Sequence, residues 1–477
     1  MAEYLEKEFV YMKSFCKQLD NFDAAVFSVF NQCFLFSAST LTYFPITECA
    51  KDILLSNYFF DKKLPDFVKL KYSENEILLT CKKLEEFKSN KVLAPIQKYD
   101  KSSILYTDYF LKLVGSTKCN LRCNYCFANK NSDYDMSLET AKKAILFFLD
   151  KFVPDNKRRV VIDLTGAGEP LVRLDFILQV NDFVQKIKSK RKINIFCQLA
   201  SNGMLLTKEI SDKLKANNIL FGVSLDGKKE QSESNRVGLD YDLVSKNISD
   251  IENKQFFGLA STYSGNNHDF ISIFKTLYSF SPEVVGMKPV RLIESNSNSI
   301  NMNNIEEIKK SYDVFVKWLY KQLVSGDKKI FDTFMHAEDF LSRYMKTTIR
   351  AFRVFYRCSA GINSFAVDGK ENIIICPAFI GEEKGIIGNL DEGLFEDKRK
   401  QLENLYADDI SYCKNCWARY TCAGECFSVG FMNNGIFEKP SLAMCELKKY
   451  LIQLSVYFWT SLRYEHRDLY DECLKKY

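Results

Sequence analysis

The chain has 477 residues, room for about three ordinary domains. Hydrophobic residues make up 46% and charged ones 27%, a globular composition that excludes disorder, collagen and coiled coil. Lys and Arg total 66 against 61 Asp and Glu, and a net charge of +5 spread over so large a surface is no footprint for nucleic acid or anionic lipid.

The first residues, Met1-Ala2-Glu3-Tyr4-Leu5-Glu6-Lys7, are acidic and mixed, unlike a signal peptide. No stretch reaches the roughly 18–20 uncharged apolar residues that a membrane span needs. A cytoplasmic location, with no membrane partner, is the expectation. Residues 1–100 then read as a small winged-helix-like α+β module. Ala25 to Leu41 alternates aromatic and apolar residues, which predicts two or three short strands. Thr47 is a candidate N-cap for a helix to Leu55, Ser73 opens another, and Lys82 to Phe87 reads as a third. The module's charges nearly balance, so an edge strand that binds peptide is favoured over a nucleic-acid surface.

From Tyr109 the pattern becomes strand, loop, helix, repeated through residues 101–325. Strands are predicted at Phe110–Gly115, Arg159–Leu164, Ile193–Ala200, Ile219–Leu225, Phe256–Thr262 and Val284–Val290. Helices fill the gaps, with Ser137 capping one to Phe152 and others at Leu174–Lys188 and Lys208–Asn217. Such alternation implies parallel βα units and a partial (β/α)6 barrel of the TIM type. Unusual residues follow the strands directly. A cysteine loop follows the first, Gly166-Ala167-Gly168-Glu169-Pro170 the second, Ser201-Asn202-Gly203 the third and Asp226-Gly227 the fourth. In β/α barrels the C-terminal ends of the strands gather into one mouth, so four separate segments converge on one place.

Of 16 cysteines, six are scattered: Cys16, Cys33, Cys49, Cys81, Cys197 and Cys473. The other ten cluster. Cys119, Cys123 and Cys126 form C-x3-C-x2-C; Cys358 and Cys376 bracket a predicted hairpin around Asp368-Gly369; Cys413, Cys416, Cys422 and Cys426 form C-x2-C-x5-C-x3-C, and Cys445 follows. In a reducing compartment this points to metal or redox chemistry rather than disulfides. A structural zinc closes with four ligands. The first group offers three thiols and no neighbouring histidine, since the chain has only His268, His336 and His466. Three thiolates on a short loop suit a four-iron cube with one iron left open, and zinc is the competing reading.

With an aromatic, Phe127, behind that motif, then a Gly-Glu-Pro turn and a Ser-Leu-Asp-Gly strand end, the chain resembles the radical S-adenosylmethionine (SAM) enzymes. The seven later cysteines, over residues 326–446, resemble the SPASM extension with its auxiliary clusters, and residues 447–477 read as a closing helix. The first hundred residues resemble the recognition element fused to maturases of ribosomally made peptides.

The resemblance implies three [4Fe–4S] clusters and SAM. Cys119, Cys123 and Cys126 would hold the catalytic cluster. Gly168 and Glu169 would receive the methionyl ammonium, Phe127 the adenine, Ser201 and Ser224 the ribose or carboxylate, and Arg236 the methionyl carboxylate. Each has a plain structural reading beside it: Glu169 as a helix N-terminal carboxylate, Phe127 as core filler, Ser201 as a turn residue, Ser224 as a strand residue, Arg236 as a surface ion pair. Ala167 stands where the family's motif has its first glycine. One auxiliary cluster would take Cys413, Cys416, Cys422 and Cys445, and the other Cys358, Cys376 and Cys426. The second would keep an open iron for a substrate thiolate, unless a scattered cysteine completes it. The spacing from Gly369 to Cys376 is two residues longer than the family's usual pattern.

The expected activity is that of a peptide maturase. It would remove a hydrogen from a precursor peptide through a 5′-deoxyadenosyl radical and join a Cys sulfur to carbon. A flavodoxin or ferredoxin would supply the electron. Carbon–carbon or carbon–oxygen cross-linking, formylglycine formation on a sulfatase, and epimerisation with Cys197 as hydrogen donor use the same parts. A catalytically dead binding partner is the alternative from another class, and the intact Cys119, Cys123, Cys126 and Glu169 argue against it.

Overall fold

The computed structural model describes residues 15–20, 22–56, 58–99, 106–128, 134–155 and 158–477. The sequence before Phe15, including the acidic start, lies outside them.

The chain opens with four strands, β1 (Cys16–Gln18), β2 (Ala24–Val29), β3 (Gln32–Ser37) and β4 (Tyr43–Ile46), in an antiparallel meander ordered 1-2-3-4. Helices α1 (Glu48–Leu54), α2 (Tyr58–Asp61), α3 (Asp66–Lys71) and α4 (Glu74–Ser89) follow. Thr47 caps α1 by accepting from the Ala50 amide, and Ser73 caps α4 through the Glu76 amide. The separate helix expected at Lys82–Phe87 is the second half of α4, because no breaker interrupts the run after Ser73.

Strand alternation buries both faces of this sheet. Ala24, Val26 and Leu35 share a core with Ile53 and Leu84 of the covering helices. Ala25, Phe27, Phe34 and Phe36 belong to the main core of the body instead. There Trp417 stacks on Phe27, ring centroids 5.8 Å apart, and meets Phe36 edge-on. The module is therefore seated on the cysteine-rich region rather than hung from a linker. Arg419 pins the seat: its guanidinium donates to both oxygens of Asp23 at 2.5 and 2.6 Å and to Asp408 at 3.1 Å, all of it buried.

The barrel strands are β5 (Asp108–Leu113), β7 (Arg159–Asp163), β8 (Asn194–Ser201), β9 (Leu220–Ser224), β11 (Gly258–Tyr263) and β12 (Val284–Pro289). A two-residue ribbon, β6 (Arg122–Cys123) with β10 (Arg236–Val237), lies outside their sheet. Helices α5 (Leu138–Lys151), α6 (Leu174–Arg191), α7 (Lys208–Ala216), α8 (Lys229–Asn235), α9 (Tyr241–Ser249) and α10 (Phe270–Tyr278) connect them. All six barrel strands run parallel in chain order, as the sequence pattern predicts, and the array is open. In β5 the buried residues Tyr109, Leu111 and Leu113 alternate with half-buried Phe110 and Lys112, which share the opposite face. Leu111, Ile162 and Cys197 are in register and all buried. Cys197 thus lies on the packed face away from Lys112, in an apolar core, and is no hydrogen donor for an epimerase.

After β12 come α11 (Ile305–Val324), α12 (Lys328–Met335) and α13 (Phe340–Arg350), then β13 (Ser364–Val367) and β14 (Asn372–Ile374), a hairpin around Asp368-Gly369 as predicted. β13 pairs in parallel with β5, so the barrel sheet continues through β14, β15 (Ile386–Asn389) and β16 (Gly393–Leu394) into ten strands. Helices α14 (Glu396–Glu403), α15 (Arg419–Cys422), α16 (Phe427–Asn434), α17 (Leu442–Glu465) and α18 (Arg467–Lys476) complete the chain. α17 is buried along most of its length, with Trp459 fully enclosed. Among the described residues no helix is long and apolar enough to cross a membrane.

Replacing Asp23 by Ala removes the carboxylate that both terminal nitrogens of a fully buried Arg419 contact. Denaturation is expected to show a loss of roughly 3–5 kcal/mol, with faster proteolysis of the N-terminal module. An unchanged denaturation midpoint would contradict the seat.

Candidate active site

The cysteine loop leaves the C-terminal end of β5. Leu121 anchors it in the core. Cys123 pairs across the β6–β10 ribbon with Arg236, and the Asn124 amide donates to the Asn235 carbonyl at 2.9 Å. The Cys119 thiol accepts from the Leu121 amide at 3.4 Å. Burial first, and Glu169 and Cys126 after it, push Cys119 up, against the Leu121 amide. Cys123 is pushed up to about 11 by burial, with Arg236 working against the rise. Cys126 and Phe127 are exposed at the mouth, Phe127 at 39%.

The Gly-Glu-Pro turn is clamped to this loop. A Cβ on Gly168 would stand 2.2 Å from the Lys118 carbonyl oxygen, so only glycine fits. Next to it the Glu169 amide donates to that carbonyl at 2.9 Å. Ala167, the departure from the family motif, is packed against the small apolar cluster of Val114, Ala366, Ile374 and Ile380. The Glu169 carboxylate is 3% exposed and accepts from the Leu171 amide (3.1 Å), the Ser201 hydroxyl (2.8 Å) and the Asn202 amide (2.8 Å). Burial raises its pKa, and those three donors oppose the rise. Glu169 is therefore the N-terminal cap of a short helix as well as a buried charge facing the cysteine loop. Ser201 is spent on Glu169 and on the Gly203 amide.

A second buried carboxylate, Asp226, ties the other side. It accepts from the Arg236 guanidinium at 3.0 Å, from the Thr262 amide at 3.0 Å and from the Tyr125 hydroxyl. Arg236 is thus no surface ion pair; it is buried, and its Nε has no hydrogen-bond partner among the described residues. The Asp226-Gly227 turn marks this place in the sequence, whereas Tyr125, the residue that closes the link, carries no signal beyond lying between two cysteines. Ser224 is half-buried at the end of β9, in register with Ala260.

The C-terminal thiols form two groups. Cys413, Cys416 and Cys445 each feel the charge of Cys422, which sets these four thiols near one another. Burial pushes up Cys413, Cys416 and Cys445, the last to about 12, while Lys448 and Lys449 hold the rise back. Cys426, Cys376 and Cys358 lie near enough to Arg291 for their charges to act on it. Burial drives Cys376 up to about 12. Burial acts the same way on Cys426, but there Arg291 and the Ser428 hydroxyl prevail and the thiol is held below the usual range. Of the scattered cysteines, Cys16 approaches Cys416 of the four-thiol group, while Cys33, Cys49, Cys81, Cys197 and Cys473 are buried.

Residues 113–253 match the model of the radical SAM superfamily. Over those residues the chain carries a radical SAM domain, on the open barrel the fold displays, and it is an enzyme. It is 24% identical over 331 residues to the cysteine-type anaerobic sulfatase-maturating enzyme of Clostridium novyi, covering 65% of this chain and 85% of that protein. With the radical SAM cyclopropyl synthase TigE of Paramaledivibacter caminithermalis it shares 23% identity over 367 residues, 72% of this chain and 73% of the relative. Among solved structures, native anSMEcpe with bound AdoMet shares the fold with a TM-score of 0.58 at 18% identity, over 73% of this chain and 96% of that one.

The superfamily implies a [4Fe–4S] cluster and SAM, and the residues present fit them. Cys119, Cys123 and Cys126 share one loop, and thiolates are the usual holders of such a cluster. Beside the loop the Arg236 Nε, without a partner among the described residues, is a donor that an anion such as the methionyl carboxylate would satisfy.

Gly168→Ala forces the turn away from the Lys118 carbonyl. Release of 5′-deoxyadenosine under reducing conditions is expected to fall roughly 100-fold with the thermal melt nearly unchanged. Near-wild-type release would contradict the clamp.

Proposed function

We propose that the enzyme matures a ribosomally made peptide by closing a thioether between a Cys sulfur and a carbon of the same peptide. The observation that carries this reading is the cysteine loop with Glu169 at the strand ends, joined through the β5–β13 pairing to a group of three thiols. Residues 1–100 would hold the leader, 101–325 the reaction chamber, 326–446 the auxiliary clusters and 447–477 the closing helix. Cys119, Cys123 and Cys126 would hold the first cluster. Cys413, Cys416, Cys422 and Cys445 would hold a closed one, and Cys358, Cys376 and Cys426 one with an open iron. Bound there and reduced by a flavodoxin or ferredoxin, these groups and SAM supply the 5′-deoxyadenosyl radical that takes a hydrogen atom and the acceptor for one further electron.

The chain's own residues bind and orient. Glu169 receives the methionyl ammonium, Arg236 its carboxylate, and Phe127 covers the adenine, with Gly168 and Ser224 shaping the floor. Ser201 supports Glu169 rather than reaching the cofactor itself. Closing the ring removes one C–H and one S–H: a hydrogen atom leaves with 5′-deoxyadenosine, and a proton and an electron depart from sulfur. Formylglycine formation is the second reading, favoured by the sulfatase-maturating relatives. Those alignments leave about a third of this chain without a counterpart.

The reconstituted protein is expected to carry about twelve irons, and the Cys358→Ala/Cys376→Ala variant about eight. Incubated with a Cys-containing peptide from a neighbouring reading frame, it is expected to remove two hydrogens per ring and block the thiols to alkylation. Colourless, iron-free protein, or zinc at Cys119–Cys126, would refute the reading.

A further inference from the structure

The seat of the N-terminal module is interleaved with the four-thiol group. Between Cys413 and Cys422 the chain alternates thiols with residues that grip the module. Gln18 of β1 accepts from the Trp417 amide at 3.0 Å and donates to the Asn415 carbonyl. The Trp417 ring packs on Phe27 of β2 and Phe36 of β3, with centroids 5.8 and 5.4 Å away. Arg419 binds Asp23, and the Tyr420 hydroxyl donates to the Gln97 carbonyl at 2.9 Å. Asn415, Trp417, Arg419 and Tyr420 each lie within three positions of Cys413, Cys416 or Cys422. Whatever sets those thiols therefore also sets the seat.

This segment has little regular structure of its own. Outside α15 it is built of turns, closed by short-range bonds such as that from the Cys416 amide to the Cys413 carbonyl at 2.8 Å. A centre held by all four thiols would tie it at three points to α17, the long buried helix that carries Cys445. Ordering such a segment costs conformational entropy, and metal binding offsets that cost because its free energy is folding free energy. The seat tolerates little displacement in turn. Arg419 and Asp23 are fully enclosed, and a buried pair pulled apart leaves two charges without compensation. Small shifts of the segment thus decide between a seated module and a released one.

We propose that the four-thiol site gates the N-terminal module: loaded with iron, it holds residues 413–422 in the shape that the seat needs, and emptied, it lets β2 and β3 come away from the body. The gate rests on the reading that Cys413, Cys416, Cys422 and Cys445 hold a cluster. Its consequence is that a chain lacking that cluster does not present the module in its working position, so a peptide is not committed to an enzyme unable to finish the reaction.

The test is hydrogen–deuterium exchange on the anaerobically reconstituted full chain, with iron counted in the same samples. Cys413→Ser/Cys416→Ser is expected to lose about four irons. Protection of the β2 and β3 amides should fall on the order of tenfold, with the barrel strands β5 and β7 still protected. Cys358→Ala/Cys376→Ala should also lose about four irons and leave β2 and β3 as protected as in the wild type. Stripping the wild type with a chelator should expose the same amides. Reloading with iron and sulfide should protect them again in the wild type and in Cys358→Ala/Cys376→Ala, but not in Cys413→Ser/Cys416→Ser. Unchanged β2 and β3 protection after loss of the four-thiol irons would overturn the gate and leave the cluster reading standing. So would equal exposure in both double variants, or a loss that spreads to β5 and β7. Full iron content in Cys413→Ser/Cys416→Ser would overturn the cluster reading itself, and the gate with it.

Discussion

Three thiols on one short loop make a cofactor site only when something other than the cofactor holds the loop. Here that task falls to two buried carboxylates. Glu169 gathers the ends of two strands through Leu171, Ser201 and Asn202, while its own amide and Gly168 press against Lys118, the residue before the first cysteine. Asp226 gathers Arg236, Tyr125 and Thr262. A carboxylate enclosed to this degree is costly unless fully bonded, so each is satisfied by several donors. The loop is thereby fixed from both sides before any iron arrives.

The second constraint is the continuity of the sheet. Because β13 lies parallel to β5, the thiols that flank the β13–β14 hairpin ride on the same sheet as the loop that follows β5. Cys358 and Cys376 are placed by strand register and not by a hinge between domains. Arg291 extends the link from β12 to the same thiols. The N-terminal module is seated with similar firmness, since Trp417 and Arg419, which dock it, lie within the cysteine motif that begins at Cys413.

Much of this was legible in the sequence because local physics dominates there. The six barrel strands appear close to their predicted limits, since alternating apolar residues between helices of ten or more residues leave little choice. Thr47, Ser73 and Ser137 cap helices as their side chains predict. What escaped was non-local. β13 has four residues, too few for a periodicity, and its partner lies some 250 positions earlier. The burial of both faces of the first sheet depends on Trp417, far along the chain. Ser201 supports Glu169, and nothing in a Ser-Asn-Gly turn reveals whom its hydroxyl will meet.

The most direct measurement is electron–nuclear double resonance on the anaerobically reduced protein with SAM labelled by nitrogen-15 at its amino group. If Cys119, Cys123 and Cys126 hold a cube whose fourth iron takes the methionyl end, a nitrogen hyperfine coupling to the reduced cluster appears and vanishes in Cys126→Ala. An iron-loaded wild-type protein with no such coupling would contradict the account.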